Sequence, residues 1–240
     1  MKRLINEIKT GMIVQFRNGL YHVGIGVGVL VAVAVSQLIN ANILSLSMTA
    51  IMLLIIGGST LLYVAAILMF ERDEDTISAT IVSPLSIAEY ITAKVVSLTI
   101  LATLESFVSF GGALLIMYFQ GVDFVLPNFL ILTISLFAIC IIFVLMGIIL
   151  AVRYRNITDF IMPMAAVVII LQIPFFYFVG FTDSWLLLLF PVSPPTMLML
   201  GAFGEMQNWQ YIYSIGYSVI CIIGLFYWAQ KAFAKHVIGE

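Results

Sequence analysis

The sequence predicts an all-α integral membrane protein with six transmembrane helices. Three observations lead to that fold class. Of 240 residues, 63% are hydrophobic and only 9% are charged. A soluble domain averages about 25% charged residues, so this chain has too little polar surface to dissolve. Residues other than Asp, Glu, Lys and Arg form the unbroken runs 18–70, 106–122, 124–152, 160–182, 184–204 and 206–230. A helix needs about 20 apolar residues to cross the hydrocarbon, so the first run holds two spans. The ten Lys and Arg residues fall in four clusters: Lys2, Arg3, Lys9 and Arg17; Arg72 and Lys94; Arg153 and Arg155; Lys231 and Lys235. Cytoplasmic loops collect Lys and Arg. Pairing the spans between these clusters puts all ten on one side, with both termini in the cytoplasm and the chain in the plasma membrane.

The elements follow in order. Within residues 1–18, Leu4, Ile5, Ile8, Met12 and Phe16 recur at helical spacing beside the first basic cluster. That pattern fits an amphipathic helix in the cytoplasmic interface, its apolar face in lipid or against the bundle. An ordinary basic leader is the plainer alternative. No small-x-small cleavage site interrupts the first apolar stretch, which reads as a retained anchor. Span one covers roughly 20–39, and Asn40, Asn42, Ser45 and Ser47 make a short outer turn. Span two covers roughly 49–70. Residues 71–94 form the largest cytoplasmic segment. Span three covers roughly 95–118, span four 128–151, span five 159–180 and span six 209–230, with a tight inner turn at Arg153-Tyr154-Arg155-Asn156.

Residues 182–208 are the exception. The run is apolar and long, yet counting it as a crossing would put Lys231 and Lys235 outside. Pro191, Pro194 and Pro195 also break any straight helix there. A re-entrant outer element before span six satisfies both facts, since non-helical backbone is tolerated at depth where protein covers it.

The 71–94 segment carries the most information. Asp73, Glu74 and Asp75 precede Ile77, Ala79, Ile81 and Val82, and acids at a helix start complement its dipole. Pro84 stops that short helix. Ser86-Ile87-Ala88-Glu89 has capping-box spacing and opens a second helix running into span three. The segment is either a short helix presented to the cytoplasm or a plain polar loop.

Here the sequence resembles the ABC-2 type transporter permeases. Their cytoplasmic loop after span two carries Glu/Arg, a Gly-Thr pair, an acid, an apolar stretch, Thr-Pro and a Lys opening span three. Glu71, Arg72, Thr76, Pro84 and Lys94 match, while Asp75, Ser78 and Ser83 depart from the pattern and keep its spacing. The resemblance covers the whole chain and is nearest to the short drug or fluoroquinolone-export-type permeases. It implies the membrane subunit of an ATP-driven exporter of hydrophobic or amphipathic compounds: drug, lipid or peptide. It implies a coupling helix that contacts a separate ATPase through Glu71, Arg72, Thr76, Ile77, Ile81 and Pro84, with Phe16 and Arg17 of the interfacial helix second. A second permease copy, identical or related, would complete the path.

No cofactor site is expected in this chain, and ATP with Mg belongs to the partner ATPase. A phosphate-cradling Walker A loop needs glycine directly before lysine. The five lysines follow Met1, Ile8, Ala93, Gln230 and Ala234. Neither HExxH nor GxSxG occurs, so no catalytic or metal site is expected, and no nucleic-acid partner. Cys140 and Cys221 read as small apolar side chains.

Glu105 is the single ionisable residue well inside a span. A carboxylate there costs about 2.5–3.5 kcal/mol on insertion scales, so it faces protein or water. It serves either a translocation path or helix–helix bonding, and Gln172 is a weaker candidate of the same kind. Gly24, Gly28, Ala32 and Ser36 make a small-residue stripe on span one, either a dimer seam or an internal contact. Two other functions stay open: an ion-coupled transporter using Glu105, and a non-transporting immunity or scaffold protein.

Overall fold

A computed structural model describes residues 2–38, 44–74 and 86–238. The described residues fold into helices α1 (Lys2–Arg17), α2 (Leu20–Leu38), α3 (Leu44–Asp73), α4 (Ile87–Phe119), α5 (Phe129–Ala151), α6 (Ile157–Gln172), α7 (Phe175–Phe178), α8 (Ser193–Gly201) and α9 (Asn208–Phe233), with a 3-10 turn at Trp185–Leu189. Six helical segments are long and apolar enough to cross a bilayer: Leu20–Gln37, Leu44–Asp73, Ile87–Phe119, Phe129–Ala151, Ile157–Phe178 and Asn208–Val237. The chain is therefore an all-helical, multi-pass membrane protein.

Helix α5 is the centre of the bundle and packs against α3, α4, α6, α8 and α9. Its crossing with α3 is close because glycine meets a large side chain in both directions. A Cβ on Gly57 would lie 2.9 Å from the Phe143 ring, and one on Gly147 would lie 3.0 Å from Val64. Small residues let apolar helices approach where no hydrophobic effect drives them together. Helices α2 and α4 run side by side in the same direction, with Gly24, Gly28 and Ala32 of α2 against Leu101, Val108 and Gly112 of α4.

The two chain ends lie at the same end of the bundle. Helix α1 lies across α4, where Gln15 Nε2 donates to Ser97 Oγ at 3.0 Å. The last turn of α9 lies beside the start of α4, with Tyr90 and Phe233 ring centroids 5.0 Å apart. This end also holds Arg72, Lys94 and Arg153, and is called the basic end below.

The capping box at Ser86 is formed: Glu89 N donates to Ser86 Oγ at 3.3 Å and Ser86 N to Glu89 Oε2 at 3.0 Å. The turn forecast to run through Ser47 is shorter, because Ser45 and Ser47 belong to α3. The Thr49 hydroxyl bonds back to the Ser45 carbonyl at 2.7 Å, which lets a polar first turn stay helical. Asn40 and Asn42 lie outside the described residues.

In 182–207 the only regular elements are the five-residue 3-10 turn and the nine-residue α8. At about 1.5 Å per residue neither reaches across a bilayer. Pro194 and Pro195 occupy the first turn of α8, where their missing N–H groups cost nothing. This element is tied to its neighbours: Ser193 Oγ donates to Leu187 O at 2.6 Å, Tyr217 Oη to Leu189 O at 2.9 Å, and Asn128 N to Ala202 O at 2.6 Å.

Candidate functional site

Helices α3 and α4 are the longest, with 30 and 33 residues. That is about 45 and 50 Å of helix, against about 30 Å of hydrocarbon. Both are longer than the hydrocarbon is thick, and side chains bind them together at the basic end. Lys94 forms an ion pair with Glu71, with side chains 5% and 16% exposed respectively. Tyr90 Oη donates to the other Glu71 oxygen at 2.6 Å. Arg72, next along α3, donates to Tyr154 O at 2.7 Å and Val152 O at 2.8 Å, in the turn between α5 and α6. One turn of α3 thus grips α4 on one side and the α5–α6 turn on the other.

This arrangement adds to the roles given to Glu71 and Arg72. The resemblance implies that both meet a partner; within the chain their side chains also bond to Lys94, Tyr90 and the α5–α6 turn. The physical reason is burial: a charged group near hydrocarbon takes whatever counter-charge or carbonyl lies closest. Thr76, Ile77, Ile81 and Pro84 lie outside the described residues. Their segment, 75–85, is the link between the clamped ends of α3 and α4.

The second constellation is inside the membrane. Glu105 is 2% exposed, and neither carboxyl oxygen has a hydrogen-bond partner among the described residues. Tyr63 and Ser59 of α3 face it, short of hydrogen-bond geometry. Gly24 closes the α2 side, with Tyr63 Oη 3.3 Å and Glu105 Cβ 3.8 Å from where its Cβ would be. At the next residue, Ser106 Oγ lies 3.9 Å from Cys140 Sγ of α5. An acid and a phenol meet here with no basic side chain among the contacts, so the site can take a proton or a cationic group. Gln172 ends α6, and its Nε2 is likewise buried without a partner among the described residues. It does not contribute to the Glu105 cluster, which α2, α3, α4 and α5 build.

The small-residue stripe is an internal contact. A Cβ on Gly28 would come within 2.9 Å of Val108 Cγ1 and 3.1 Å of the Glu105 carbonyl, and Ala32 Cβ lies 2.8 Å from where a Gly112 Cβ would stand. Because α4 covers Gly24, Gly28 and Ala32, that face cannot also serve as a dimer seam.

Helix α1 turns Ile5 and Phe16 of its apolar face outward and keeps Leu4, Ile8 and Met12 half-buried. Gly11 and Gln15 are buried against α4, whereas Ile5, Ile13 and Phe16 point outward, Phe16 at 59% exposure. Phe16 packs on His22 with ring centroids 5.1 Å apart. Beside it, Arg17 lines an apolar crevice with Met12, Ile13, Tyr21, Ile100 and Leu104. Among the described residues no group of His, Cys, Asp and Glu could hold a metal ion.

Comparison with known proteins adds a family. Over residues 2–240 the sequence matches the Fluoroquinolones export permease protein family. It is 27% identical over 179 residues to a fluoroquinolones export permease protein of Mycobacterium tuberculosis strain CDC 1551 / Oshkosh, covering 73% of this chain and 72% of the relative. The counterpart from strain ATCC 25618 / H37Rv matches with the same identity and coverage.

Proposed function

This chain belongs to the fluoroquinolones export permease family, and from that premise we propose that it is the membrane subunit of an ATP-driven ABC exporter. Its basic end faces the cytoplasm. A separate ATPase, carrying ATP and Mg, docks on the 75–85 link through Thr76, Ile77, Ile81 and Pro84. Two permease subunits pair to enclose the path. The substrate is hydrophobic or amphipathic, and the relatives' names point to aromatic drugs of the fluoroquinolone class.

The observation that carries this reading is the clamped pair of long helices. A loop at the tip of two loose helices would absorb a push by bending. Here Glu71, Lys94, Tyr90 and Arg72 fasten α3, α4 and the α5–α6 turn into one unit at the base of the link. Force applied to the link is then transmitted to α5, the central helix. Nucleotide does work only if the ATPase pair prefers one bundle arrangement over the other. The clamp makes that preference felt in the membrane.

Replacing Ile77 and Ile81 together by Asp tests the docking site. Transport into energised inside-out vesicles should stop while the protein stays inserted. Undiminished transport would exclude the link as the contact.

One observation favours a second reading. Glu105 is a buried acid without a hydrogen-bond partner among the described residues, which suits an ion-coupled transporter. That transporter would run on an ion gradient without an ATPase and stop on Glu105→Gln. In the ABC reading, the same acid lines the path and meets the cargo.

A further inference from the structure

The crevice beside Arg17 continues along α4. Its first part is a cavity of about 520 Å³ lined by Met12, Ile13, Phe16, Arg17, Tyr21, Ile100 and Leu104. A second cavity of about 480 Å³ shares Ile100 and Leu104 and adds Thr103, Phe107, Val108 and Phe137. Because Ile100 and Leu104 line both, we read them as one groove. From Ile100 to Val108 it follows about 12 Å of helix toward the membrane centre. Its walls are apolar except at the basic end. There stands the Arg17 guanidinium, exposed and with no acidic partner among the described residues. Beside it the Tyr21 hydroxyl is buried without a hydrogen-bond partner among the described residues.

The level in the membrane is fixed by neighbouring contacts. Gly11 and Gln15 of α1 meet Ser97, a turn before Ile100. Lys94, one turn further back, is already in the polar clamp. The polar mouth therefore lies at the headgroup boundary and the apolar part in the hydrocarbon. Residues 2–17 also carry four basic side chains, Lys2, Arg3, Lys9 and Arg17, against the single acid Glu7. A basic helix at this depth collects anionic lipid.

We propose that this groove is a binding site for an anionic phospholipid of the leaflet at the basic end. Arg17 holds the phosphate, Tyr21 donates its hydroxyl to a phosphate or ester oxygen, and one acyl chain lies along Ile100, Leu104, Phe107 and Phe137. The assignment does not depend on how transport is powered. It gives α1 a role: a lipid wedged between its last turn and α4 pins the interfacial helix to the bundle.

The test is native mass spectrometry of the purified, delipidated chain titrated with phosphatidylglycerol or phosphatidylcholine of identical acyl chains. The intact protein should retain phosphatidylglycerol more tightly. Arg17→Gln should weaken that retention on the order of fivefold, the worth of one arginine at a charged surface, and weaken phosphatidylcholine less, because its choline cation offsets the phosphate charge. Leu104→Trp, which fills the groove, should abolish the tight phosphatidylglycerol adduct, while Ile212→Trp on the outer face of α9 should not. Equal retention of the two lipids would overturn the headgroup assignment, as would an Arg17→Gln protein that keeps the preference. A groove covered by a second copy of the chain would retain neither lipid, and that result also rejects the proposal.

Discussion

Replacing Lys94 by Met removes the cation from the clamp and leaves the Glu71 carboxylate with the Tyr90 hydroxyl but without its ammonium. Removing one partner of a buried ion pair costs about 3–5 kcal/mol, because the other charge stays in a poorly solvated place. Glu71 is 16% exposed, so water relieves part of that cost and the lower end, about 3 kcal/mol, applies. For a chain of this size each kcal/mol moves the midpoint by roughly 2–4 °C, so the expected loss is about 6–12 °C. The double variant Lys94→Met with Glu71→Gln should recover more than half of it. No uncompensated charge remains there, and the Gln carbonyl still accepts from Tyr90. Thermal unfolding of both purified variants in one detergent measures the two shifts. A Lys94→Met loss under about 1 kcal/mol, the worth of an exposed pair, would refute the reasoning. So would a double variant no better than the single one.

Further predictions follow from other contacts. Arg72→Gln loses two charge-assisted bonds to carbonyls and should cost about 2–4 kcal/mol in the same unfolding assay, with Arg72→Lys intermediate because an ammonium cannot reach both oxygens in the guanidinium's fork. Gly28→Ala should cost about 1–3 kcal/mol by forcing α2 off α4. Gly26→Ala, with nothing within 4 Å of its added Cβ, should be neutral or gain under about 1 kcal/mol. Thermal midpoints of the two glycine variants settle whether the stripe is an internal seam. Glu105→Gln should leave insertion and the thermal midpoint nearly unchanged, since the carboxyl bonds to no described residue, yet lower transport of cationic cargo at least tenfold. An uptake assay comparing cationic and neutral compounds checks it, and equal loss for both would remove Glu105 from cargo recognition.

What could be read in the sequence was local or statistical. The six spans follow from run length and hydropathy. The Ser86–Glu89 cap follows from two side chains three residues apart, and the break before α8 from adjacent prolines. Long-range pairing was not legible. Glu71 and Lys94 are 23 positions apart, and nothing in residue type says that they meet. Arg72 binds carbonyls 80 and 82 positions away, and a carbonyl has no residue signature. Helix α1 shows why periodicity alone left its apolar face with two readings, lipid or bundle. The notch at Gly11 and the Gln15–Ser97 bond set which side meets α4, and lipid accepts Ile5, Ile13 and Phe16 on the other side. The stripe on α2 was visible, but its partner α4 was not.

The central claim is that a separate ATPase drives this permease through the 75–85 link. Gentle detergent extraction from the native membrane, followed by mass spectrometry of the co-purifying proteins, tests it most directly. The account predicts a soluble protein with a Walker A sequence in stoichiometric amount, lost when Ile77 and Ile81 are changed to Asp. Purification free of any ATPase, from membranes that still export, would contradict it and leave the ion-coupled use of Glu105 as the working mechanism.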